Sequence, residues 1–243
     1  MRTLALCAWL ALAVAPAAAQ QGPATHELID QMGSRVAVVN LYTTAQPDGS
    51  ARVNGDYLLL PILQMRYLAG ERSKQLGVMF LNEGNTPILY GRPPEATLQG
   101  TWSGGVFKGT CHGPAGQQRE RFEFSEKFPA MDAYAASVRC EVADGRYAAT
   151  LAYAVEGGRL KSFDWRSKVS PGDHPWAVAG LEQQPHAGGL RFSAGKFSVT
   201  LRDLGDFVRV VAEGCGESCG SQGYLEPVLV DKRGNCHLMR PQR

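Results

Sequence analysis

Three side chains near the C-terminus have the types and the order of a hydrolytic triad. Gly216-Glu217-Ser218-Cys219-Gly220 has the form G-x-S-x-G, and Asp231 and His237 follow it. In that chemistry an imidazole takes the proton of a serine hydroxyl while a carboxylate orients the ring. The motif also needs a strand, a sharp turn and then a helix, with acid and base delivered from distant loops. Here a turn leads into a strand-like stretch, and only 23 residues follow Gly220. The pattern is therefore read as a turn. Cys215, Cys219, Cys236 and His237 offer the donor types of a Cys3His zinc site. Structural zinc sites use tight C-x-x-C knuckles, and C-x-x-x-C with one distant cysteine departs from that spacing. Histidines at 26, 112, 174, 186 and 237 form no H-x-x-x-H or H-E-x-x-H pair. Disulfides are expected, with no metal and no cofactor. Glu83, Glu123 and Asp164 are carboxylates of the kind a glycosidase uses as acid and base, but nothing in their neighbourhoods pairs them.

What the cysteines do depends on their compartment. Arg2, the apolar run Leu4 to Val14 and the small-residue exit Ala17-Ala18-Ala19 have the form of a secretory signal. Residues 1–19 are expected to be removed, leaving a periplasmic or secreted protein of 224 residues that starts at Gln20. Cys7 lies inside the apolar run without lipobox residues, so no lipid anchor is expected. An oxidising compartment favours bridges. Five cysteines remain, which allows two internal disulfides and one thiol. Short-range pairing predicts Cys111–Cys140, then Cys219–Cys236, with Cys215 as the free thiol and Cys215–Cys236 as the alternative. Lys and Arg number 25 against 23 Asp and Glu, with no basic stripe, which argues against nucleic acid as a partner. No apolar run after the signal approaches the roughly 18 residues of a membrane helix.

The elements that must position these residues read as strands. Val36 to Tyr42 is a β-branched run, and Arg52–Leu60 and Ile62–Leu68 are apolar segments interrupted by Pro61, as at an edge or a bulge. Between residues 100 and 124, glycines divide short runs carrying Trp102, Phe107, Phe122 and Phe124, which predicts hairpins. Residues 20–166 are expected to form the larger β module. Residues 167–187, with Pro171, Pro175 and Pro185, read as a linker with a short helix over Pro175–Gln184. Residues 188–243 read as a smaller, disulfide-linked β module. The expected class is mostly β, with antiparallel sheets in a barrel or sandwich and few short helices.

Two stretches carry resemblances. Gly100–Trp102–Gly104, Gly109–Cys111 and Phe122–Phe124, preceded by Tyr57 and Tyr67, resemble a pattern of small exported bacterial β-proteins over about residues 53–125. The piece G-C-x-x-x-C-G at Gly214–Gly220, behind a V-x-V strand, resembles the tails of exported lysozyme-inhibitor-like bacterial proteins. That likeness implies a non-catalytic periplasmic module. Such inhibitors block a glycosidase cleft with a Ser/Gly-rich loop, for which Ser103, Gly104 and Lys108 are the nearest residues here. The expectation is an exported, non-catalytic binding or interaction protein of the cell envelope, its partner a protein or an envelope ligand. The alternative is an extracytoplasmic hydrolase with an unrecognised site.

Overall fold

A computed structural model describes residues 23–74, 77–86, 93–144, 147–169, 173–177, 181–184, 186, 188–214 and 225–239. The expected signal lies outside them. Eight antiparallel strands close the first module into a barrel: β1 (Ala24–Met32), β2 (Arg35–Ala45), β3 (Ala51–Leu60), β4 (Gln64–Arg72), β5 (Val78–Gly84), β6 (Ala96–Ser103), β7 (Val106–His112) and β8 (Gln118–Ser125). Each strand pairs with the next, and β1 returns to β8 through Ile29 opposite Ser125 and Met32 opposite Phe122. Alternation sends Ala37, Val39 and Leu41 inward and leaves Asn40 and Tyr42 outside, because a strand's side chains change face at every residue. Pro61 stands in the β3–β4 turn, so it interrupts no strand.

The lumen is a packed core. Leu28, Met32, Tyr57, Met79, Leu81, Leu98, Phe107, Phe122 and Phe124 fill it, each no more than 3% exposed. An eight-stranded barrel is just wide enough to be filled by side chains in this way. Gly100 and Gly109 face each other across β6 and β7. A Cβ at Gly100 would sit 2.2 Å from the Lys108 carbonyl oxygen, and one at Gly109 2.0 Å from that of Gln99. The G-x-W-x-G signature thus marks the place where two strands approach too closely for any side chain.

The rest of the chain forms two more antiparallel sheets. One has the order β12 (Asp173–Ala177), β11 (Arg159–Val169), β10 (Tyr147–Glu156), β9 (Ala136–Asp144). The other runs β13 (Glu182–Gln184), β14 (Leu190–Ala194), β15 (Phe197–Asp203), β16 (Phe207–Glu213), β17 (Val228–Asp231), β18 (Cys236–Leu238). They share one core in which Tyr153, Phe163 and Trp165 meet Phe192, Phe197, Val199 and Val210. The expected boundary at residues 167–187 is therefore corrected. Residues 136–166 belong with the C-terminal sheet, and the junction lies between β8 and β9. The expected helix over Pro175–Gln184 is also corrected, since residues 173–177 and 182–184 are strands and no helix occurs among the described residues. Pro175 is accommodated because β12 is an edge strand, where a missing N–H breaks no inner ladder.

The two modules meet along the outer wall of the barrel. Ile29, Val38, Leu58 and Leu60 pack against Phe128, Leu204, Phe207, Leu229 and Met239. Beside this apolar seam, Glu27 receives Arg202 Nη2 at 2.9 Å and also pairs with Arg209. The Arg202 guanidinium lies over the Phe128 ring, 4.2 Å from its centroid.

Candidate functional site

The loop picked out by its Ser/Gly composition is the β6–β7 hairpin. Its two-residue turn, Gly104-Gly105, has φ of +58° and +77°, the backbone that matches strand twist in a tight hairpin. Ser103, Gly104 and Lys108 are exposed. A Cβ at Gly104 would meet nothing within 4 Å, so the turn projects into solvent. Its base is braced on three sides. The Trp102 N–H donates to the Gly77 carbonyl at 2.8 Å, and the Glu126 N–H donates to the Gly105 carbonyl at 3.0 Å. The Trp102 ring meets the His26 ring at 4.8 Å, and His26 Nδ1 lies 2.8 Å from Glu126 Oε1. In an up-and-down barrel the β2–β3, β4–β5 and β6–β7 turns share one rim, and these contacts fasten two of them together.

The opposite end holds a polar cluster that the sequence reading did not assemble. Glu83 continues the inward series Met79, Leu81, Glu83 along β5 and is 6% exposed. A buried carboxylate needs a partner. Arg66 supplies one, with Nε 3.6 Å from Glu83 Oε1, while its Nη1 donates to Glu95 Oε2 at 2.8 Å. Burial, reinforced by the Glu83 charge, pushes the Tyr57 phenol well above its ordinary value. Alongside, Arg35 Nη2 donates to both oxygens of Glu120, at 2.7 and 2.9 Å. The arrangement closes the lumen with paired charges. One signal was available beforehand: an acid standing in phase with two apolar core residues on a strand.

Cys111 lies between these acids and is corrected from a disulfide partner to a free, buried thiol. It points into the barrel from β7, while Cys140 stands on β9 and is bridged to Cys236 on β18, with Cα atoms 5.6 Å apart. That spacing lies within the range a disulfide requires. The expected Cys111–Cys140 and Cys219–Cys236 pairings are both overturned by this bridge, because folding brings together strands 96 residues apart in sequence. Burial, then the Glu83 and Glu120 charges, push the Cys111 thiol up to about 11. It is protonated at neutral pH and lacks the thiolate that cysteine nucleophiles and ligands use. Cys215 and Cys219 lie outside the described residues.

Of the triad-like residues, Asp231 and His237 are brought together, with His237 Nε2 3.2 Å from Asp231 Oδ2. Ser218 lies outside the described residues. The Asp231 carboxylate also accepts the backbone N–H groups of Arg233 and Asn235 and the Asn235 amide. It is held well below the usual carboxylate range, chiefly by the Asn235 amide, and it anchors the β17–β18 turn. The three scattered acids do not converge: Glu83 lies in the barrel, Glu123 is exposed on β8, and Asp164 pairs with Arg166 on β11. Among the described residues no group of three or more His, Cys, Asp or Glu side chains is placed to hold a metal ion. No described helix is long and apolar enough to cross a membrane. Comparison with protein-family profiles, curated proteins and solved structures returns no match to this chain.

Proposed function

We propose that this is an exported, non-catalytic binding protein of the bacterial cell envelope that engages a protein partner through the rim bearing the β6–β7 hairpin. The observation that carries the reading is the braced, projecting Ser103–Val106 turn. A recognition loop that is already rigid loses little conformational entropy on docking, which is how a small contact reaches useful affinity. The partner class is a wall-degrading glycosidase of the lysozyme kind, whose cleft admits a narrow polar tip. Ser103 supplies a hydroxyl, Gly104 lets the backbone approach closely, and Lys108 supplies a cation that suits a cleft lined by acids. The signal-like sequence of residues 1–19 and the Cys140–Cys236 bridge support an oxidising compartment.

The test is lysis of a cell-wall suspension by lysozyme in the presence of the chain beginning at Gln20. The expected result is stoichiometric inhibition that weakens by about ten-fold in Lys108→Glu and in Ser103→Arg, the change that losing one contact near 1.4 kcal/mol produces. An unchanged lysis rate at excess protein overturns the reading. A second reading, an extracytoplasmic hydrolase, draws on the contact between Asp231 and His237. Covalent labelling of Ser218 by a fluorophosphonate would favour it, and no labelling would remove it.

A further inference from the structure

The outer wall of the barrel carries a groove of about 730 Å³ over β3, β4 and β5, walled on one side by the turn from Gln46 to Ser50. Strand register fixes which side chains meet there. One outward row runs Tyr42, Asn54, Ala69, Asn82 from β2 to β5, and the next runs Arg52, Glu71, Phe80. Three features of these rows point to one ligand chemistry. Among the described residues three large hydrophobic side chains stand exposed, and one of them, Phe80 at 49%, stands beside the lining residue Glu71. Arg52 faces Glu71 across the strands, and Asp48 in the wall is matched by Lys74, so the groove shows no strong excess of either sign to draw a polyion. Ala69 sets a methyl group between two amides, and Asn82 accepts from the Thr97 hydroxyl at 3.4 Å, which leaves its N–H groups to donate outward.

We infer that this groove binds a neutral oligosaccharide of N-acetylhexosamine units. Amide side chains match the hydroxyl and acetamido groups of such a sugar, and Ala69 offers an apolar seat for the acetyl methyl. Phe80 offers a ring for the C–H face of a pyranose. The lining row from Asn54 to Asn82 crosses two interstrand steps, about 10 Å, which suits a short oligomer. The groove lies on the barrel wall and does not use Ser103, Gly104 or Lys108, so the inference stands apart from the hairpin reading.

The experiment is an amide-resolved NMR titration of the chain from Gln20 with the N-acetylglucosamine trimer, and with cellotriose as the sugar lacking acetamido groups. Saturable shifts confined to the two rows are expected, with cellotriose about ten-fold weaker. Phe80→Ala is expected to weaken binding by about ten-fold, the order of one stacked ring, and Ala69→Leu to abolish it by filling the seat. Both positions lie on the outer wall, and circular dichroism checks that each variant folds. No shifts, equal binding of the two sugars, or full binding by Ala69→Leu would overturn the inference. Lysozyme inhibition by Phe80→Ala and Ala69→Leu is expected to match the parent. A loss of glycan binding and a loss of inhibition are thereby told apart.

Discussion

The Cys140–Cys236 bridge joins two strands that share no ladder. β9 is the last strand of one sheet and β18 the last of the other, and no backbone pairing links them. The disulfide is thus the covalent closure of a seam whose remaining cohesion is side-chain packing. Its contribution can be worked from the 96-residue separation. The chain-entropy relation, with a loss of 2.1 + 1.5R ln n cal/mol/K, gives about 16 cal/mol/K, or about 4.7 kcal/mol at 25 °C. That is a large share of the roughly 5–15 kcal/mol that holds a domain folded. The perturbation is the double replacement of Cys140 and Cys236 by alanine in the chain beginning at Gln20. A Trp102→Phe background leaves Trp165 and Trp176 as reporters of the second module. With a guanidinium slope of about 4 kcal/mol/M, the fluorescence midpoint should fall by about 1 M. Modification of Cys111, followed by peptide mapping, reports barrel opening in the same samples. An unmoved fluorescence midpoint would refute the reasoning, because it would mean that packing alone holds the seam.

Four further outcomes are expected. Cys111 in the native protein should resist thiol reagents at pH 7 and react once guanidinium unfolds the barrel, and rapid native labelling would contradict its burial and raised pKa. Glu27→Gln should lower stability by about 2 kcal/mol or more by leaving Arg202 and Arg209 without their shared carboxylate, and adding Arg202→Met should restore part of the loss in urea unfolding. The depressed pKa of Asp231 contributes stability that is present above its unfolded value and lost as pH falls toward the folded one, so Asp231→Asn should weaken the protein at pH 7 and little at pH 2. Asp56 has the opposite sign: burial raises its pKa, its share of stability is present at low pH and lost as pH rises through the raised value, and Asp56→Asn should gain stability at pH 7 but not at pH 3. Urea midpoints at the stated pH values check both.

The strands were legible because alternation is a local property. Ala37, Val39 and Leu41 announce an inward face by their spacing alone, whereas Gly100 and Gly109, which read as dividing short runs, stand inside paired strands that approach closely. What decided the modules was not local. The prolines around residue 175 punctuate the chain as a linker would, but an edge strand tolerates proline for the same reason a linker does, and only the partner strand distinguishes the two cases. The cysteines failed as guides because sequence proximity says nothing about which sheet edges meet. Glu83 was visible as an acid in phase with Met79 and Leu81, yet its partner Arg66 comes from β4, which only the barrel sets beside it.

The packed lumen constrains where recognition can occur on this molecule. Phe107, Phe122, Phe124 and their neighbours leave the barrel interior filled, and Arg66, Glu83, Arg35 and Glu120 close one end with paired charges. To admit a ligand there, the protein would have to part the buried Glu83 from Arg66, and a buried charge stranded without its partner costs several kcal/mol. The outer wall and the other rim carry no such penalty. There the β6–β7 turn is held by backbone hydrogen bonds to its neighbours, and the groove is shaped by register, with Ala69 small where the flanking positions are amides. Both surfaces are formed before any partner arrives, because the aromatic core behind them fixes the strands that carry them. Loosening that core, as Phe107→Ala would by about 3–5 kcal/mol, should therefore weaken inhibition and glycan binding together. Changes on either surface should weaken one and spare the other.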